Sequence, residues 1–496
     1  MTVYGRAIAL LGDRPELAEA AARPFGFDLA GAAHGPAVRL ASGAPLEAVA
    51  GDGRGGTYAV CGGGPVLYAS ADGAAGLVAA SADEALELAI GLPGWPGLLH
   101  LSPADAGTQP AAAVAASDEA IRKSLPDLDA RRAALRGALD LPDRSPGELF
   151  TRLHTALLRT EPDHLLLEAA GGRACARLDP HPRPPLRETV LSPGLTDLAQ
   201  LRDDPSSWPR LAGDKARRAT VLRAAQFDRQ DRDLPLLRRL LAAETADPGA
   251  SDELRLAAVL VALHGHAEDL PLLRAAHAAP QAARWGLPEI PERPGAVREW
   301  ARGLDVSQLG DDPAREPELT WIRLARRQGR TELARVALLR ILDAAEEAAT
   351  AERADLLRVL SVELEALGDL GQSARAQSAC AALAEGARDR GMACRRLAEL
   401  QRRTGDLPAA WRTLRQVPEL LDSDGAERRW RRLGPGRMVA AEFFELARAA
   451  AGAGLASVAR ESLAVAGELH AGMGKSAQRS LGMPAQEAKW AVARLK

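Results

Sequence analysis

The hexapeptide Asp-Leu-Pro-Leu-Leu-Arg occurs twice in this chain, at 233–238 and again at 269–274. Each copy follows an Ala- and Leu-rich helical stretch, Ala219 to Gln226 before the first and Leu254 to Leu263 before the second. Proline is tolerated in the first turn of a helix, where its missing N–H has no intrahelical partner to lose. Helix, turn and Asp-Leu-Pro helix start therefore recur at a fixed period. A unit of that size buries its apolar face only against its neighbours, so the pattern predicts a stack of helices.

A second series follows Pro317. Gly329 precedes Ala334 and Leu338, Gly405 precedes Ala410 and Leu414, and Gly454 precedes Ala459 and Leu463. Gly368-Asp369-Leu370 joins the series through Ser373. Glycine allows a tight turn between helices, and the small residue five places on lets paired helices approach. The first series resembles HEAT-like repeats, over 210–310, and the second resembles tetratricopeptide (TPR)-like repeats, over 311–496. Together they imply an all-α helical-repeat body, an α-solenoid. In the TPR family the first helix of each pair lines a groove. The matching positions here include Arg323, Arg326, Arg327, Arg358, Arg395, Arg402, Arg403 and Arg448, joined by only two acids, Glu365 and Glu399. The resemblance thus implies a basic groove for an acidic peptide or a carboxylate terminus, held by bidentate Arg contacts.

The first hundred residues read differently. Thr57 to Cys61 and Val66 to Ser70 alternate apolar with small or polar residues, as half-buried strands do. Gly62-Gly63-Gly64-Pro65 breaks them apart, Asp72-Gly73 makes the next turn, and Gly76 to Ala80 is a third short run. Ser81 and Glu84 stand at capping-box spacing before a helix that Pro93 ends. This order of elements resembles the SUKH superfamily. The matching positions are Asp52, Gly53, Gly55, Gly56, Tyr58, Gly64, Pro65, Val66, Gly73, Gly76, Pro93 and Trp95. The resemblance implies a small α+β domain over 1–105 and, since bacterial members are best known as immunity proteins, a bound toxin neutralised by occlusion. All three Tyr residues lie in the first 70 positions, which marks the change from this head to a helical body. Between them, 106–209 reads as a Pro/Ala/Ser linker (103–117), helices over 127–139 and 147–158, and a hairpin of 164–169 with 173–178 around Gly171-Gly172.

Composition narrows the function classes. At 496 residues, two to four domains are expected. A net charge of −3 carries no nucleic-acid or membrane signal, and no apolar run is long enough to span a bilayer. Of the 63 basic residues 58 are Arg, and there is no Asn, a bias that genomic base composition produces. The N-terminus lacks the form of a signal peptide. Cysteines at 61, 175, 380 and 394 are too scattered for a disulfide framework or a zinc site, which points to a reduced cytoplasm. Gly472-Met473-Gly474-Lys475-Ser476 resembles a phosphate loop but has Leu469 where the pattern needs Gly. His264 and His266 read as turn residues, His181 stands alone, and Asp311-Asp312 and Glu346-Glu347 read as solvated acids. No cofactor, metal or catalytic residue is assigned. The expectation is a cytoplasmic, non-enzymatic protein-binding protein. A helical-repeat scaffold with a structural head, and an enzyme whose site is gathered from distant helices, are the alternatives.

Overall fold

Alternation of apolar side chains along Thr57–Cys61 and Val66–Ala69 gives one sheet two buried faces. Tyr58, Val60, Val66 and Tyr68 belong to one core and Leu67 and Ala69 to another. The computed structural model describes residues 5–62, 64–104, 109–247, 252–280, 287–305, 315–348, 350, 353–423 and 429–495. Helices α1 (Arg6–Asp13) and α2 (Pro15–Ala22) lead into β1 (Val38–Leu40), β2 (Leu46–Gly51), β3 (Thr57–Cys61), β4 (Val66–Ala69) and β5 (Ala74–Ala79). Strands β2 to β5 form an antiparallel meander with Tyr58 opposite Tyr68. Helix α3 (Ala82–Gly91) follows. Ser81 Oγ accepts from Glu84 N at 3.2 Å, but the Glu84 carboxylate accepts from Ala80 N at 3.1 Å, so the reciprocal cap is displaced by one residue.

The expected linker is in large part a helix. α4 (Gln109–Ser124) forms because Ala-rich sequence favours helix and Pro110 falls in its first turn. Val114 is buried, and Asp118, also buried, receives Arg132 at 3.1 Å. Helices α5 (Leu128–Leu139) and α6 (Pro146–Leu158) lie where the sequence predicts them, and Leu128, Leu135, Leu149 and Phe150 join the core of α1, α3 and the sheet. One core thus holds side chains from α1 through α6. The hairpin forms its turn, with Glu168 N donating to Arg173 O and Cys175 N to Leu166 O, each at 2.9 Å. Its strands then part, contrary to expectation. β6 (Leu166–Glu168) pairs antiparallel with β1, while β7 (Ala176–Arg177) joins the main sheet parallel to β5. Both edges were exposed to pairing by elements distant in sequence, and no local pattern reports that.

The body is helical throughout its described residues. α7 (Leu186–Asp203), α8 (Trp208–Gly213), α9 (Lys215–Phe227), α10 (Leu234–Ala246), α11 (Asp252–Leu263), α12 (Leu270–Ala278) and α13 (Pro294–Leu304) share one core. Each hexapeptide opens a helix, α10 or α12, through a single 3-10 turn. The Asp at its head is buried. Arg202 holds Asp233 at 2.8 Å, and Arg238, the last residue of the first copy, holds Asp269 at 2.6 Å. Both pairs span 31 positions; in the second, the first copy's Arg locks the next copy's Asp, and in the first, Arg202 of α7 takes that place.

Helix pairs follow: α14 (Glu318–Arg327) with α15 (Thr331–Glu347), α16 (Arg353–Ala366) with α17 (Leu370–Leu383), and α18 (Ala387–Arg403) with α19 (Leu407–Leu414). After α20 (Val417–Asp422) come α21 (Gly434–Gly452) with α22 (Ala456–Ala471), then α23 (Lys475–Ser480) and α24 (Gly482–Ala493). Gly329, Gly368, Gly405 and Gly454 all have φ between 73° and 89°, the left-handed region that ends a helix. At each, the next residue's N–H reaches back five residues, as from Arg330 to Ala325 O and from Asp406 to Gln401 O. Ala334, Ser373, Ala410 and Ala459 are buried where the paired helices meet. The two helical series are joined by Glu316, which receives Arg223 and Gln226 at 2.7 Å, and by the Arg327–Glu253 pair.

Head and body meet at the hairpin tip. The Gly172 carbonyl accepts from Gln372 Nε2 at 2.7 Å and from Arg375 Nη1 at 2.9 Å. Arg340 donates to Cys175 O at 3.0 Å and pairs with Glu161 at 2.6 Å. Asp343 accepts from Ala174 N and also holds Arg375.

Candidate functional site

The first helices of successive pairs stand side by side, and between α16 and α18, floored by α17, lies a cleft of about 750 Å3. Helical spacing builds its walls. Asp355, Arg358 and Val362 come from one face of α16, and Asp389, Met392 and Arg396 from one face of α18. Val362 is 54 % exposed, an apolar side chain on an open wall. Gln377 Nε2 donates to Ala393 O at 3.1 Å and fixes α17 to α18. Cys380 is buried in the floor, and burial pushes its thiol up, so it is an unreactive packing group there.

The eight arginines expected along this face have a shared property that their spacing alone did not reveal: each meets a carboxylate. Glu363, buried on α16, receives Arg323 at 2.7 Å and Arg326 at 3.3 Å from α14. Glu442, buried on α21, receives Arg402 at 2.7 Å from α18. Burial pushes the Glu442 carboxyl above its usual range against the pull of Arg402. Burial alone would lower Arg402, but the Glu442 bond holds it above its ordinary value. Glu365 bridges Arg396 and Arg403, and Arg327 reaches back to Glu253. These contacts tie first helix to first helix. Three arginines pair within their own helix: Arg358 with Asp355 (2.5 Å), Arg395 with Glu399 (3.2 Å) and Arg448 with Glu445 (2.6 Å). Arg395 Nε is buried with no hydrogen-bond partner. Arg358, Arg395 and Arg396 are on the cleft; Glu385 and Asp389, exposed on it, make no ion pair with any described residue. A signal for the ladder was present: Arg323–Glu363 and Arg402–Glu442 both span 40 positions.

The residues that carry the SUKH resemblance build the head's sheet. Asp52 Oδ1 accepts from Arg54 N and Gly56 N at 2.7 and 2.8 Å, and its Oδ2 accepts from Tyr68 Oη at 2.6 Å. Trp95 Nε1 donates to Tyr58 Oη at 3.2 Å. Burial pushes both phenols up, and the Asp52 contact raises Tyr68 further, so both stay protonated, Tyr68 donating to Asp52 and Tyr58 accepting from Trp95. Gly53, Gly55 and Gly73 have positive φ in the turns, Val66 is fully buried, and Gly76 faces Leu157 and Thr160 of the α6 layer. Gly64 and Pro65 close the β3–β4 turn, and Pro93 follows the end of α3.

Other candidates fall into place. Glu346 is largely covered and pairs with Arg375, while Glu347 stays solvated, 68 % exposed, in its pair with Arg173. His181 Nε2 lies 3.1 Å from Leu101 O, with its ring against His154. Lys475 and Ser476 open the six-residue helix α23. Asp311-Asp312 lies outside the described residues. Among the described residues no group of three or more His, Cys, Asp or Glu side chains could hold a metal, and no helix is long and apolar enough to cross a membrane. Comparison with protein-family models, with curated proteins and with solved structures returns no match.

Proposed function

We propose that this chain is a non-enzymatic protein-binding protein whose body works as an α-solenoid of HEAT-like and TPR-like units and receives a partner segment in the α16–α18 cleft. The cleft carries this reading, through its volume of about 750 Å3 and the exposed Val362 on its wall. Covering an apolar side chain is worth about 25 cal/mol per Å2. Beside it, Arg358 is tied only to Asp355 in an exposed pair, worth about 1 kcal/mol or less, so a partner carboxylate can take that place. Both features suit an acidic segment with an apolar anchor. The SUKH-like head adds the immunity-type reading, in which the captured protein is a toxin domain blocked by occlusion.

Charge reversal at Arg326 or Arg402 would break the Glu363 and Glu442 ties, so the test belongs at Arg358 and Val362. Tagged full-length protein, Val362→Asp and Arg358→Glu are used to capture partners from native cells, counted by mass spectrometry. One near-equimolar partner lost with both variants supports the reading, and a toxin-like domain in that partner supports immunity by sequestration. Loss with Val362→Asp alone removes the acidic preference. Undiminished capture by both variants sinks the cleft, and a housekeeping complex in place of a toxin favours the scaffold reading.

A further inference from the structure

A second cavity lies in the other helical series, between α9, α10, α11 and α13, with a volume of about 200 Å3. Small-molecule sites combine an apolar lining with a few placed polar groups, and this cavity has both. Its floor is apolar: Ala225, Leu237 and Leu260 are buried, and Leu263 packs against the same core. Its rim is cationic. Arg298 and Arg302 stand four apart on one face of α13, both exposed, and neither makes an ion pair with any described residue. They differ in this from the arginines of the body's ladders. Arg229, also on the rim, is already held by Asp305 at 2.7 and 2.8 Å.

The Arg298 stem is held in place. It crosses Gly265, where an added Cβ would lie 3.2 Å from Arg298 Cδ and 3.3 Å from its Cβ. His264 lines the same wall, 3.9 Å from Asp231, and burial lowers its imidazole below the ordinary value. It is therefore a neutral hydrogen-bonding group at pH 7 rather than a third cation. Asp231 is fully exposed, and Asp233 is tied to Arg202, so two unpaired guanidiniums face one unpaired carboxylate.

We propose that this cavity binds a small amphipathic anion, an apolar ring or chain seated on the leucine floor with its carboxylate or phosphate held by Arg298 and Arg302. Guanidinium geometry matches either headgroup with two parallel hydrogen bonds, and an apolar floor strengthens them by excluding water. The site is independent of the α16–α18 cleft and of any protein partner bound there.

Isothermal titration of the full-length protein with 2-naphthoate, 2-naphthyl phosphate and uncharged 2-naphthol tests it. At least one anion should bind one-to-one, and naphthol about tenfold more weakly or less. The tighter anion identifies the headgroup class. The double variant Arg298→Gln/Arg302→Gln should lose about tenfold in anion affinity with unchanged circular dichroism, as both side chains are exposed. Equal affinity for naphthol, undiminished binding by the double variant, or no binding at millimolar probe would overturn the proposal.

Discussion

Gly56 acts by lacking a side chain. A Cβ there would sit 2.1 Å from Tyr68 Oη, the atom that donates to Asp52. Gly56→Ala must displace that phenol or the turn, and a lost charge-assisted hydrogen bond plus overpacking costs about 2–4 kcal/mol. Gly53→Ala meets open space and only the strain of a φ of +73°, about 1–2 kcal/mol. Urea unfolding of the two variants should rank them in that order, and equal losses would show the clash to be harmless. Asp52, Gly56, Tyr58 and Trp95 could all be singled out in the sequence from the order of turns and strands. Which of them touch could not. The Trp95–Tyr58 bond spans 37 positions, and only the folded meander brings its ends together.

Helix boundaries were legible because the chemistry that ends a helix is local. A glycine in the left-handed region and a small residue five places later gave the helix pairs after Pro317, and the Asp-Leu-Pro starts gave α10 and α12. The ion pairs that register one helix against the next depend on which faces abut, and a local pattern carries no such information. The hexapeptide shows the difference. Its Asp marks a helix start in the sequence, yet Asp233 forms a buried lock with Arg202 of α7, both side chains no more than 5 % exposed. Asp233→Ala removes the buried partner of Arg202, leaving it only Asp228, and should cost about 3 kcal/mol. Asp269→Ala should cost clearly less, since its partner Arg238 is 31 % exposed and water takes over part of the contact. Thermal unfolding of the two variants checks the ranking; an equal fall in Tm would mean the ladder is uniform.

Across the whole molecule, the hairpin belongs to three structures at once. β6 pairs with β1, β7 completes the main sheet, and the tip at Gly172 is bonded to α17. The sequence marked the turn through Gly171-Gly172, but nothing near it pointed to Gln372 and Arg375. Gln372→Ala with Arg375→Ala leaves the Gly172 carbonyl without either donor, a loss of about 1–3 kcal/mol. Amide exchange over 166–177 should then rise by roughly tenfold or more, with the meander β2–β5 unchanged. Unaltered exchange at the hairpin would show that the tip contact contributes nothing to holding head and body together. A ribosome makes these parts in order, and Gln372 is 200 positions beyond Gly172. At about 5–20 residues per second, the tip carbonyl waits about 10–40 s for its partner to be synthesised. The head is thus made well before the helix that finishes it.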